Sequence, residues 1–346
     1  MFEVPRYTSG GIAVANLSAA IDGLEHRRLL GATFEGQLEL SRLLFLRGDL
    51  LGRIADHDRA EVAALEAITV ARDAGSAFYV RARLANRFHR FPDARSMLER
   101  ALAAGHSPQE INGERASLLQ ATGDYPRARV IRERLAKTDP GMHTLGALAT
   151  LLGEVGDWAA ADACYAAALR ADHGVSPLPC AQLLFEWGVC AMRRRELDRA
   201  EATFATLGLI LPAHVPGRGH RAEVALERGQ LDRALGLILP LLDITDDPEY
   251  RATYAQILAA RGDRAAAACE AEQAALEYER LLSRRPEAYA DHAASFFMGL
   301  GDRPLRALEL ATANCELRAT PRARALLSRA QRNAVASGQG STRRTA

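Results

Sequence analysis

The sequence predicts an all-α solenoid, and two interleaved ladders of residues predict it. Seven of the fourteen prolines, Pro108, Pro140, Pro177, Pro212, Pro248, Pro286 and Pro321, recur at intervals of 32, 37, 35, 36, 38 and 35 residues. Roughly midway between them run Ala60, Ala94, Ala128, Ala161, Ala200, Ala234, Ala267 and Ala307, spaced 34, 34, 33, 39, 34, 33 and 40 residues apart. A fixed period in this range marks a repeat array, in which each unit buries its apolar face only against its neighbours. Every periodic segment fits 3.6 residues and none alternates as a strand would, so no sheet is expected.

The elements follow in order. Ile12 to Ile21 is apolar but interrupted by Asn16 and Ser18, which reads as a first helix and not a signal peptide. Residues 1–40 form a capping region, and 36–47 begin the first unit. Ahead of the alanine anchor, a turn glycine stands in Gly123-Asp124, Gly156-Asp157, Gly229-Gln230, Gly262-Asp263 and Gly301-Asp302, and an arginine directly precedes Ala60, Ala128, Ala200, Ala234 and Ala307. In the fourth unit a helix from Leu145 to Val155 stops at Gly156, which takes the left-handed conformation cheaply. Asp157 offers the next N-cap, and a second helix begins at Trp158. The methyl of Ala161 lets the two helices approach, with Tyr165 and Ala168 on the same face. Pro92, Pro126 and Pro304 fall in first turns, where a missing N–H costs little. Pro240 is expected to shorten or kink a second helix, and Glu270 to Arg285 to extend one. Ala323 to Ala336 reads as a closing helix, and Ser337 to Ala346 as a disordered tail.

The set Leu145, Ala149, Gly156, Trp158, Ala161, Tyr165 and Ala168 closely resembles a tetratricopeptide repeat, with Phe204, Pro212, Gly123, Ala128 and Pro140 fitting adjacent units. The resemblance covers about residues 41–320 and implies a right-handed α-solenoid of about eight helix pairs. Ala55, His89 and Arg195 replace the turn glycine, so distorted turns are expected there. Leu44, Phe78, Leu145 and Leu184 stand where the family has an early tryptophan, and Arg218 and Arg251 occupy that place in the sixth and seventh units.

A net charge of +1 argues against a nucleic-acid or membrane-surface protein, which needs a sustained basic excess. Lys137 is the only lysine among many arginines, and with the alanine richness this reads as GC-rich, bacterial codon usage. Five cysteines without a C-x-x-C pair point to a reduced, cytoplasmic chain. Cys164 and Cys269 are expected to pack as small apolar residues. No apolar run approaches the length of a membrane span.

No active-site constellation emerges, and neither metal nor organic cofactor is expected. His214 and His220 bracket a Pro/Gly segment without an acidic or cysteine ligand at metal spacing, so an ordinary lead into a helix is expected. Asp246-Asp247-Pro248-Glu249 reads as a capping turn and not as an acid–base pair. There is no G-x-S-x-G, no P-loop and no dinucleotide fingerprint.

By the resemblance, first helices line a concave groove in which a protein or peptide partner lies. Arg83 and Arg87 are i,i+4 on one helix, with Asn86 beside them and Tyr79 a turn earlier, a cluster suited to a carboxylate or phosphate. Their plain alternative is a solvated face, or pairing with Asp49. Phe185, Val189 and Met192 recur at i, i+4 and i+7 and offer an apolar anchor, or simply pack on the next unit. The expected function is a non-catalytic scaffold or adaptor. The competing reading is an accessory subunit of an enzyme or biosynthetic complex, presenting a peptide, small molecule or metal, in which His214, His220 and Cys190 would matter.

Overall fold

The computed structural model describes residues 6–71 and 74–344. Among the described residues there are eighteen α-helices, one 3₁₀ turn and no strand. A lone helix α1 (Gly10–Leu30) precedes eight pairs: α2 (Phe34–Leu51) with α3 (Ile54–Val70), α4 (Gly75–Arg87) with α5 (Phe91–Ala103), α6 (Pro108–Thr122) with α7 (Tyr125–Thr138), α8 (Met142–Glu154) with α9 (Trp158–Arg170), α10 (Pro177–Arg193) with α11 (Leu197–Ile210), α12 (Val215–Glu227) with α13 (Leu231–Ile238), α14 (Pro248–Ala260) with α15 (Arg264–Arg284), and α16 (Pro286–Met298) with α17 (Pro304–Leu317). Helix α18 (Pro321–Arg344) closes the array. It runs beyond Ala336 into the segment expected to be a tail, and residues 345–346 lie outside the described residues. The all-α solenoid and its eight units are as the ladders predict.

Turn chemistry sets the unit boundaries. Gly123, Gly156, Gly229 and Gly262 take φ of 90°, 84°, 69° and 89°, the left-handed region that a Cβ disfavours. His89 and Arg195 adopt the same conformation, at φ 57° and 60°. Those turns therefore keep the glycine geometry and are not distorted as expected; the strain stays local, of order 1–3 kcal/mol each. Ala55 is not a turn residue, because α2 already ends at Gly52, φ 60°, and Ala55 sits in the first turn of α3. In the last unit Asp302, φ 42°, takes the left-handed place and not Gly301. Asp157 occupies the N-cap position of α9 but makes no side-chain cap bond, whereas Asp124 and Asp263 do so for α7 and α15.

The anchor alanines sit where paired helices cross, all at 0% exposure except Ala267 at 3%. Ala161→Leu should overpack the α8–α9 crossing and cost roughly 1–3 kcal/mol in a urea-unfolding measurement. An unchanged midpoint would mean the crossing lies elsewhere. Pro240 ends α13 early, at Ile238, with a 3₁₀ turn over Leu239–Leu241, and α15 extends to 21 residues. Both follow the sequence expectation. Cys269 departs from it: the thiol side of α15 at that position is exposed, because Ala267 alone takes the buried face there.

First helices of successive units touch one another, α2 with α4, α4 with α6, α8 with α10, α10 with α12 and α12 with α14. They therefore lie on the inside of the curve. The curve also comes full circle, since α1 meets α10 and α2 meets α12. The solenoid thus winds into a superhelix whose second turn packs on the first.

Candidate functional site

The helices α2 and α4 lie side by side on the inside of the curve. On α4 the guanidinium of Arg83 lies over the Phe45 ring, 5.1 Å from its centroid. One turn on, Arg87 Nε is 3.5 Å from Asp49 Oδ1. Both side chains of that pair stay over a third exposed, at 38% and 35%, so the contact is a weak, water-screened one. Asp49 is also hydrogen-bonded to His57, at 3.0 Å. Burial pushes the Asp49 carboxyl up, but that bond and the charges of Arg87 and Arg83 outweigh it and hold it below the usual carboxylate range. Asn86 donates from Nδ2 to Glu114 at 2.7 Å, which leaves its buried Oδ1 without a partner within the protein. Tyr79 stacks on His106 with centroids 4.4 Å apart, and burial pushes its phenol up to about 12. The four residues do share one wall; the pairing with Asp49 applies to Arg87.

The apolar cluster stands on α10. Phe185 is half-buried, stacks on His220 at 5.5 Å, and lies 5.3 Å from His214 and 6.3 Å from Phe204. Val189 and Met192 are half-buried against the main core. Gly188 makes this possible: a Cβ there would stand 2.4 Å from the Phe204 ring. His214 is not loop decoration but the N-cap of α12, its Nδ1 accepting from Gly217 N at 3.0 Å. Burial, with the charge of His220, presses it down to about 4, so it is neutral at pH 7. His220 lies within α12, bonded to Glu223 at 2.7 Å. Cys190 is buried beside Gly153. Among the described residues no three His, Cys, Asp or Glu side chains are grouped so as to hold a metal.

Helices α14 and α16 carry a third group that sequence reading missed. His292 lies 3.4 Å from Glu249 and 3.9 Å from Asp291. Their two charges raise His292 to about 10 against the desolvation that opposes it. In return, burial pushes both carboxyls up but the imidazolium pulls each down to about 2. The sign of the linkage follows. A folded His292 pKa above the unfolded value of about 6.5 stabilises fully below that pH and loses the contribution as pH rises toward 10. Glu249 and Asp291 contribute above about pH 4.5 and lose it as pH falls toward 2. At 43% exposure of His292 the effect is partly screened. Relative to wild type, His292→Asn should show a smaller loss of urea resistance between pH 7.5 and 9.5; equal losses would refute the pairing. No periodicity flags this trio, because its members meet only after α14 and α16 pack.

Loop residues join the two superhelical turns. Asp246 does not cap its own helix; it accepts from Ile54 N at 2.6 Å and Ala55 N at 2.9 Å, 192 residues away, while Asp247 caps α14. Arg284 and Arg285 each reach Asp58 at 2.7 Å, and Arg285 reaches Glu61 at 2.8 Å while covering the Phe88 ring at 3.5 Å. His89 donates from Nδ1 to the Glu287 carbonyl at 2.9 Å. Thr245 bonds the Gly52 carbonyl.

No helix among the described residues is long and apolar enough to cross a membrane. No protein-family model and no curated protein matches the sequence. Solved structures share the fold. Human IFIT1, solved as a dimer with PPP-AAAA, is 16% identical, with 88% of this chain and 73% of that one covered and a TM-score of 0.57. The APC/C hetero-tetramer Cut9–Hcn1 is 14% identical with a TM-score of 0.54, covering 91% of this chain, which spans 59% of the chain it matches. A tetratricopeptide repeat protein from Parabacteroides merdae is 18% identical over 72% of this chain and 92% of its own, with a TM-score of 0.45. The chain has the fold of a tetratricopeptide-repeat solenoid.

Proposed function

We propose that this tetratricopeptide-type solenoid is a non-catalytic scaffold that holds an extended segment of a protein partner along its inner channel. The observation that carries the reading is the second unit, where Arg83 and Arg87 share one inner wall and Arg87 has a long, exposed pairing to Asp49. A partner's carboxylate there would meet two guanidiniums, with Asn86 and Tyr79 alongside, and charge-assisted forks favour that geometry. Phe185, Val189 and Met192 supply an apolar seat further along. Both signs of charge line the channel, since Glu223, Glu249 and Asp291 stand on α12, α14 and α16. A peptide can complement both signs. The hetero-tetrameric Cut9–Hcn1 assembly is in keeping with a protein occupant. The accessory-subunit alternative gains nothing here: His214 caps a helix, His220 is tied to Glu223, and Cys190 is buried.

Selection from a random displayed-peptide library tests this, with an RNA oligonucleotide pool run in parallel. Wild type should enrich acidic peptides whose binding weakens with salt. Arg83→Ala or Arg87→Ala should each cost about 1.5–3 kcal/mol of that affinity, with lysine recovering only part. Phe185→Ala should weaken binding almost independently of salt. Enriched peptides lacking acidic residues, or enrichment of RNA instead, would sink the reading.

A further inference from the structure

Beside the helix contacts of α1 with α10 and α2 with α12, the two superhelical turns are joined by a set of polar contacts. Within the array, each unit buries apolar faces against its neighbours. The polar set links loops and ends of helices of the first three units to those of the last three, and Gly52 there also faces the Val215 and Tyr250 side chains. Turn residues 52–55 meet 245–246, Asp58 and Glu61 meet Arg284 and Arg285, and His89 meets Glu287 and Arg318. Gly123 lies beside Ala319, where a Cβ would stand 3.3 Å from the carbonyl oxygen. The partners are 191 to 229 residues apart, about six to seven repeats of roughly 34 residues.

Asp246 gives this seam its specificity. The N-cap of α3 is Arg53, which makes no side-chain cap bond and so leaves the Ile54 and Ala55 N–H groups for another acceptor. The carboxylate of Asp246 supplies it from the next turn, as an anion at a helix N-terminus. Its neighbour Asp247 already caps α14, so Asp246 is not needed locally. Each helix pair is packed within itself, α2 on α3, α14 on α15 and α16 on α17, so parting the seam breaks no contact inside a pair. While the seam is shut, α2 of the first turn stands against α12 of the next.

We propose that this seam is a polar latch: Asp246 on the α3 N-terminus and Arg284 and Arg285 on Asp58 and Glu61 hold the two turns together, and their release opens the channel sideways to admit an occupant. That last consequence rests on the channel reading above; the latch itself does not. Its strength depends on charge, and raising salt to 1 M shortens the screening length to about 3 Å and should loosen it.

Hydrogen exchange of the Ile54 and Ala55 amides reads the cap, and small-angle scattering reads the overall opening. Asp58→Arg faces two arginines across the seam without touching Asp246. It should speed exchange at Ile54 and Ala55 at least tenfold and raise the radius of gyration, while amides in mid-α3 such as Ala64 stay protected. Asp58→Arg with Arg284→Glu re-pairs the charges and should restore both readouts. Unchanged exchange and size in Asp58→Arg would overturn the latch, and so would an equal rise along the whole of α3, which signals local unfolding. For access, a selected acidic peptide and its head-to-tail cyclised form are compared by association rate. Wild type should take up the linear form faster, and Asp58→Arg should remove the difference. If neither form binds, the channel reading fails while the exchange result still decides the latch.

Discussion

Replacing Asp56 by alanine should lower the free energy of unfolding by about 3–5 kcal/mol, the range for stranding one member of a buried ion pair. Asp56 and Arg47 are 3% and 7% exposed at the side chain and form a two-bond fork, Nε to Oδ2 at 2.7 Å and NH2 to Oδ1 at 2.9 Å. Removing the carboxylate leaves a guanidinium that cannot be neutralised and cannot reach water between α2 and α3. Arg59 also donates to Asp56, at 2.8 Å, but it is 42% exposed and can turn outward. The penalty therefore comes from Arg47. Asp56→Ala with Arg47→Met, which replaces both charges by apolar volume, should recover most of the loss. A chemical-denaturation midpoint shifted equally by the single and the double change would show that the pair's charge is not what matters.

Phe204→Ala should be of similar size, about 3–5 kcal/mol, because it empties a fully packed ring site. Phe204 is 1% exposed and fills the close approach that Gly188 allows between α10 and α11. It also stands behind the proposed apolar seat, 6.3 Å from Phe185 and 5.7 Å from His220. The same change should therefore weaken peptide binding, although Phe204 touches no part of the channel opening. Phe204→Leu keeps most of the volume and should cost markedly less in both measurements. If binding is lost while the melting transition is unaltered, Phe204 contacts the ligand directly and its supporting role is wrong.

Most of the fold is legible in the sequence because the determinants of a solenoid are local. Gly123, Gly156, Gly229 and Gly262 act within their own turns, and each anchor alanine packs within its own pair. Pro240 and the Glu270 to Arg285 tract act on the helix that contains them. A turn five residues before Ala60 would fall at Ala55, but Gly52, three residues earlier, has the needed conformation and makes the turn there. His89 and Arg195 show that a left-handed turn survives without glycine where both flanking helices hold it. The candidate site was legible only in part. Arg83 and Arg87 are visible as an i,i+4 pair, but what faces them is not. His292 with Glu249 depends on how α14 and α16 of adjacent units pack, and Asp246 with the start of α3 on how far the superhelix winds. No spacing in the sequence encodes either, since Glu249 lies on a different unit from Asp291 and His292, and Asp246 on a different turn from Ile54.

The claim that the concave surface is where a partner lies has one direct measurement. A selected acidic peptide carrying a photo-crosslinking residue at each position in turn is bound, irradiated and mapped by mass spectrometry. Cross-links confined to the inner helices, with the peptide's acidic position joined to α4 near Arg83 and Arg87 and an apolar position joined to α10 near Phe185, are the predicted result. Cross-links spread over the outer helices α5, α7, α9 and α11, or an acidic position that attaches elsewhere, would contradict it.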